Sequence, residues 1–125
     1  MLVEDDPAII DIYVTSMTGA HFDVDSVTLG QVAITKIKNI VAKEEQKPDI
    51  ILLDLILPDI NGMEVLKEVR SNDATKDIAV FILSNQAKEE LQNLGGAKPD
   101  KFIIKANTTP TELLEMIKGY LNDRT

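Results

Sequence analysis

From Ile50 to Leu57 the chain is apolar at every position but one, and the exception is Asp54. Ile50 to Leu53 run without polar alternation, as in a strand covered on both faces inside a parallel sheet. Pro58, Asp59, Asn61 and Gly62 follow and predict a loop. Asp54 is thereby placed at the C-terminal end of a central strand. In open α/β sheets ligands and chemistry gather at that edge, so a carboxylate there is a candidate reactive group.

A second run of the same kind, Ile78 to Leu83, ends at Ser84, and a shorter one, Phe102 to Ile104, ends at Lys105. Met1 to Val3 are apolar and stop at Glu4, Asp5 and Asp6. Phe22, Val24 and Val27 alternate with polar residues, which suits an edge strand with one wetter face. Helical spacing separates these segments. Ile9, Ile10, Tyr13, Val14 and Met17 mark one helix, started by an Asp6 cap and a first-turn Pro7 and failing near Gly19. Ala33, Ile37, Ile40 and Val41 mark another, with Thr28 and Gln31 as a capping box. Met63, Val65, Leu66 and Val69 mark a third, ending near Arg70. Ala87, Leu91 and Leu94 outline a fourth, closed by Gly95-Gly96. Thr109, Pro110 and Glu112 open a fifth, whose apolar face is Leu113, Leu114, Ile117 and Leu121. Five strands and five helices in strict alternation predict a parallel sheet with right-handed crossovers and helices on both faces, a three-layer α/β domain.

With 125 residues the chain is the size of one domain, and residues 1–125 are read as a single one. Aromatic residues make up only 4%, so the core has to be aliphatic. A net charge of −8 with no basic cluster repels a phosphate backbone and argues against direct nucleic-acid binding. The absence of cysteine removes disulfides, thiolate metal sites and cysteine nucleophiles. No apolar run approaches the roughly 18 residues of a membrane span, and no secretory signal is evident, so a cytoplasmic location is expected. The single histidine, His21, has nothing at metal-ligand spacing beside it.

In a parallel sheet the residues that end the strands converge on one rim. Glu4, Asp5, Asp54, Ser84 and Lys105 would share it. Three clustered carboxylates repel one another, so either their pKa values rise or a cation neutralises them. Oxygen ligands suit a hard ion, Mg2+ above all. A metal, a lysine, a hydroxyl and an attacking carboxylate outline a phosphoryl-transfer site.

Along essentially its whole length the sequence resembles the receiver domain of two-component response regulators. The likeness rests on VEDDP at the first strand's end, IILLDLILPDING around Asp54, VFILSN at the fourth strand's end and FIIKA at the fifth. It implies a flavodoxin-like fold with strand order 2-1-3-4-5. It makes Asp54 the phosphoacceptor, Glu4 and Asp5 the metal acids, and the carbonyl of Ile56 a further Mg2+ ligand. Ser84 and Lys105 match the hydroxyl and lysine that contact the phosphoryl group, and Phe102 matches the aromatic that moves with activation. Ile56 and Gln86 match positions that flank the attacking water. The resemblance further implies a histidine kinase or histidine phosphotransfer protein as donor. The face of the fourth helix, fifth strand and fifth helix would control a downstream effector protein or fused output domain. Such a domain catalyses its own phosphorylation and dephosphorylation rather than turning over free substrates.

Three features depart from the family pattern. Ala106 follows Lys105 where a proline with a cis bond is common, and a cis bond before a non-proline residue costs about 2.5–4 kcal/mol. The segment Ala97 to Lys101 is longer than usual. The first strand is short against a typical length of about 5–6 residues, so residues upstream of Met1 are expected. Two other readings stand beside the phosphoacceptor: an interaction module that works without phosphorylation, and a small ligand binder or Mg2+ phosphatase. The second lacks a glycine-rich phosphate loop and a catalytic histidine on the rim.

Overall fold

The computed structural model describes residues 1–85 and 97–123. The strands are β1 (Leu2–Val3), β2 (Ser26–Val27), β3 (Ile50–Asp54), β4 (Ala79–Ser84) and β5 (Lys101–Ile104). They form one sheet in the order β2-β1-β3-β4-β5, and every neighbouring pair is parallel. Among the described residues the helices are α1 (Pro7–Gly19), α2 (Gly30–Val41), α3 (Gly62–Ser71) and α4 (Pro110–Asp123), and a single 3-10 turn spans Lys105–Asn107. The helix expected over Ala87 to Leu94, and Gln86 before it, lie outside the described residues.

Strand pleating sorts the aliphatic residues into two cores. Val3, Ile51, Leu53, Ile78, Val80 and Ile82 face one side, where Ala33 and Ile37 of α2 and Val65, Leu66 and Val69 of α3 cover them. The alternate residues Leu2, Ile50, Leu52, Ala79, Phe81 and Leu83 face the other, under Tyr13 and Met17 of α1 and Leu113 and Ile117 of α4. Every residue of β3 and β4 is buried, which is the physical reason that neither strand alternates in sequence. The three layers and the strand order are those implied by the resemblance.

The helix starts show which local signals held. Asp6 accepts hydrogen bonds from the N–H groups of Ala8 and Ile9 at 2.9 and 3.4 Å, with Pro7 in the first turn. Thr109 and Glu112 form the reciprocal capping box, at 3.1 and 3.2 Å. The Thr28–Gln31 box does not form. Leu29 occupies the cap position of α2 and contributes no side-chain bond. The first two N–H groups of the helix, on Gly30 and Gln31, instead donate to Asp59 at 2.8 and 2.9 Å. A carboxylate from the loop after β3 thus does the capping, and no local pattern could reveal it.

The second strand is also shorter than its alternation predicts. Only Ser26 and Val27 pair, because β1 offers only Leu2 and Val3 as partners. Phe22 and Val24 pack against the α1/α4 core without joining the sheet. The approach to β5 is fixed by a polar hub. Arg70 donates to the carbonyls of Lys76, Ile78 and Lys98 and to the Asp100 carboxylate, with distances of 2.7–3.0 Å. Asp100 also accepts from the Val80 N–H and the Tyr120 hydroxyl, so α3, β4, β5 and α4 meet there. Among the described residues no peptide bond is cis.

After β3 the chain closes a tight loop, residues 55–61. The Gly62 N–H donates to the Leu55 carbonyl at 2.7 Å, and Asn61 caps α3 through the Met63 N–H at 2.9 Å. A Cβ on Gly62 would lie 2.1 Å from the Asp54 carbonyl oxygen. Backbone cannot yield there as a flexible side chain would. Gly62→Ala is therefore expected to destabilise the protein by about 1–3 kcal/mol and lower its melting temperature by roughly 5–10 °C. A melting curve that matches the wild type would contradict this packing.

Candidate functional site

The C-terminal ends of the strands form one rim, and four of the anticipated residues meet on it. Glu4 immediately follows β1, and its N–H donates to the Val27 carbonyl at 3.0 Å, so sheet pairing holds its backbone. Its side chain is only 1% exposed. Asp54 closes β3 and is buried as well. Lys105 follows β5 directly. Its Nζ donates to Glu4 Oε2 at 2.7 Å and to Asp54 Oδ2 at 3.0 Å, and its side chain is 9% exposed.

The acids are also close to one another. One carboxylate oxygen from each of Glu4, Asp5 and Asp54 can be chosen so that all lie within 4.8 Å of each other, with Asp5 exposed and the other two buried. Asp6, the third acid of the run, is taken up by the helix cap and stays out of the cluster. Glu4 Oε1 accepts from the Asp6 N–H at 3.2 Å, so the cap and the cluster share a turn.

The electrostatics follow from this crowding. Burial pulls the Lys105 ammonium down, but the hydrogen bonds and negative charge of Glu4 and Asp54 outweigh it, leaving Lys105 above the usual lysine range. The lysine is therefore charged at neutral pH, and it partly compensates two buried carboxylates. Tyr13 on α1 stands near enough to feel Lys105, Glu4 and Asp54. Burial first, then the two carboxylates against the lysine, leave its phenol above the usual tyrosine range. The sequence marks Tyr13 only as part of an apolar helix face, and no spacing rule identifies it as a neighbour of the rim.

The remaining residues take distinct places. Ser84 ends β4, is buried, and pairs in register with Ile104, the residue before Lys105. The Ile56 N–H donates to Asp54 Oδ1 at 3.2 Å, while the residue as a whole is 59% exposed. Asp54 is thus held at both oxygens, one by a backbone amide and one by Lys105. Phe102 lies below the rim, pairs with Ile82, and packs half-buried against the α2/α3 core.

Oxygen donors converging from three acids fit a hard divalent cation. With a cation bound there, the lysine and a buried hydroxyl one strand away would complete a rim able to accommodate a doubly charged oxyanion. Among the described residues no helix is long and apolar enough to cross a membrane.

Comparison with known proteins identifies the family. Residues 1–118 match the family model described as response regulator receiver domain. Among curated proteins, the DNA-binding dual master transcriptional regulator RpaA of Synechocystis is 30% identical over 119 residues, covering 94% of this chain and 45% of RpaA. The chain spans about half the length of most of the curated relatives it matches. Among solved structures, the phosphorylated cyanobacterial phytochrome response regulator RcpA superposes with a TM-score of 0.78 at 29% identity, covering 95% of this chain and 87% of its own. A CheY-like receiver domain protein from Methanospirillum hungatei gives 0.82 at 25% identity, with 98% and 91% covered. With the family model running from the first strand into the last helix, the chain belongs to the response regulator receiver domains of two-component systems.

Proposed function

We propose that Asp54 accepts a phosphoryl group from a phosphohistidine and that the resulting acyl phosphate is the domain's signal. The observation that carries this reading is the pairing of Asp54 with Lys105 inside a cluster of three carboxylates. In the transfer, an Asp54 carboxylate oxygen attacks phosphorus in line. The bond from phosphorus to the imidazole nitrogen breaks, and its electron pair stays on the histidine. Lys105 turns from the carboxylates to the phosphoryl oxygens, and Ser84 donates a hydrogen bond to them. Glu4, Asp5 and Asp54, with the Ile56 carbonyl, would hold Mg2+. When bound, Mg2+ supplies positive charge against the phosphoryl oxygens. Hydrolysis of the acyl phosphate by water resets the domain, with Ile56 beside the path of attack.

The switch reading has support in the pleat. Ser84 lies two residues beyond Ile82 on β4, so both side chains belong to the same sheet face, and Phe102 pairs with Ile82. Movement of Ser84 towards the phosphoryl group would free space above Phe102 and bias the surface that includes β5 and α4 between two packings. A histidine kinase or histidine phosphotransfer protein is the donor in this reading, placing the domain in the cytoplasm. An effector protein or a fused output domain reads the altered face. RpaA is described as DNA-binding and this chain corresponds to less than half of it. A net charge of −8 favours another domain or a partner as the source of any DNA contact.

Intact mass after incubation with acetyl phosphate tests the reading. Wild type is expected to gain one phosphoryl group only when Mg2+ is present, and Asp54→Asn to gain none; an unmodified wild type or a modified mutant would refute it. A second test targets Lys105. Lys105→Met leaves Glu4 and Asp54 buried without their counter-charge, which should cost roughly 3–5 kcal/mol in metal-free protein. Mg2+ should recover more stability in this variant than in wild type, because the ion replaces the missing charge. The sign with pH is fixed by the raised Lys105 pKa. The lysine's contribution is complete below the usual lysine range and is lost as pH climbs through its higher folded value. The gap between wild type and Lys105→Met in chemical denaturation should hold through neutral pH and close only in strong alkali. A gap that closes near neutrality would contradict the ion-pair geometry.

A further inference from the structure

The loop that follows Asp54 is pinned at three points. At its base, the Gly62 N–H donates to the Leu55 carbonyl, and Ile56 bridges to Asn61 in antiparallel fashion. At its start, the Ile56 N–H holds Asp54 Oδ1. At its tip, the two oxygens of Asp59 separately accept the N–H groups of Gly30 and Gln31. The neighbouring contact is close: a Cβ on Gly30 would lie 2.4 Å from Ile60 Cγ1 and 3.2 Å from Leu57 Cδ1, so loop and helix touch through a position that admits only glycine without rearrangement.

Asp59 is an exposed residue with two well-made charge-assisted bonds, and α2 has no acid of its own in its first turn. The Gln31 and Gly30 N–H groups hold its carboxyl below the usual carboxylate range, so it is charged and engaged at neutral pH. Capping α2 is one consequence. The other falls on the loop, whose tip cannot swing away from the rim while both bonds are made.

We infer that Asp59 is a positioning residue for the phosphorylation site: by tying the tip of the 55–61 loop to the start of α2, it fixes Ile56, which orients Asp54 through its N–H and offers its carbonyl to the metal. This inference rests on the proposed roles of Asp54 and Ile56. A residue that caps α2 and does nothing else would affect the helix alone, whereas a latch also affects Ile56.

Two measurements separate these roles. Amide hydrogen exchange on metal-free protein reports the Ile56 N–H, and isothermal titration with Mg2+ reports the site. In Asp59→Ala the Ile56 amide should exchange roughly tenfold faster, the size of one lost hydrogen bond. The Mg2+ dissociation constant should rise by roughly tenfold, the lower range for losing an outer partner of a metal site. Asp59→Asn, which keeps one acceptor oxygen, should fall between. Lys38→Gly weakens α2 at an exposed position away from the loop and should change neither quantity. Either quantity left at the wild-type value in Asp59→Ala, or moved equally in Lys38→Gly, overturns the inference. A wild-type protein that binds no Mg2+ overturns the underlying reading of the site, an outcome kept distinct because Ile56 exchange requires no metal.

Discussion

The hydrogen bonds from Lys105 to Glu4 and Asp54 join β1, β3 and the end of β5 at one point. Two carboxylates this close and this buried would oppose folding if left alone, because each loses hydration and each repels the other. The lysine makes their proximity tolerable. It can do so only because a parallel sheet brings the C-terminal ends of strands that are far apart in sequence onto the same rim. The ion pair therefore depends on the topology, and the rim depends on the ion pair.

Stability for this charged edge comes from the apolar layers beneath it. β3 and β4 are buried on both faces, with alternate residues serving the α2/α3 and α1/α4 cores. That rigid centre fixes the backbone of Asp54 and Ser84, while the loops beyond the rim adjust its chemistry. Gly62 lets the chain turn back against the Asp54 carbonyl, and Ile56 holds one Asp54 oxygen. The polar side chains of the rim thereby take positions that the interior determines.

The unalternated runs Ile50–Leu53 and Ile78–Leu83 make the central strands legible from residue order alone, since only burial on both faces tolerates such runs. Asp54 and Ser84 are found at their ends. Lys105 and Glu4 are legible only through topology: each is an ordinary surface-type residue until the parallel order puts it on the rim. Long-range contacts leave no such trace. Thr28 and Gln31 look like a cap for α2, but Asp59 takes that role from a segment 29 residues away from Gly30. The alternation of Phe22, Val24 and Val27 suggests a longer β2, while pairing length is set by β1. Tyr13 is hidden in an apolar stripe, because a helix face says what is buried and not what it is buried beside.

Reduction of the phosphorylated protein with borohydride, followed by peptide mass mapping, tests the central claim most directly. Borohydride converts an aspartyl phosphate to homoserine and leaves free carboxylates and phosphate esters intact. Homoserine at position 54 and at no other aspartate is the predicted result. Phosphate carried on a different residue, with Asp54 unreduced, would contradict the assignment of the rim as the site where phosphorus is received.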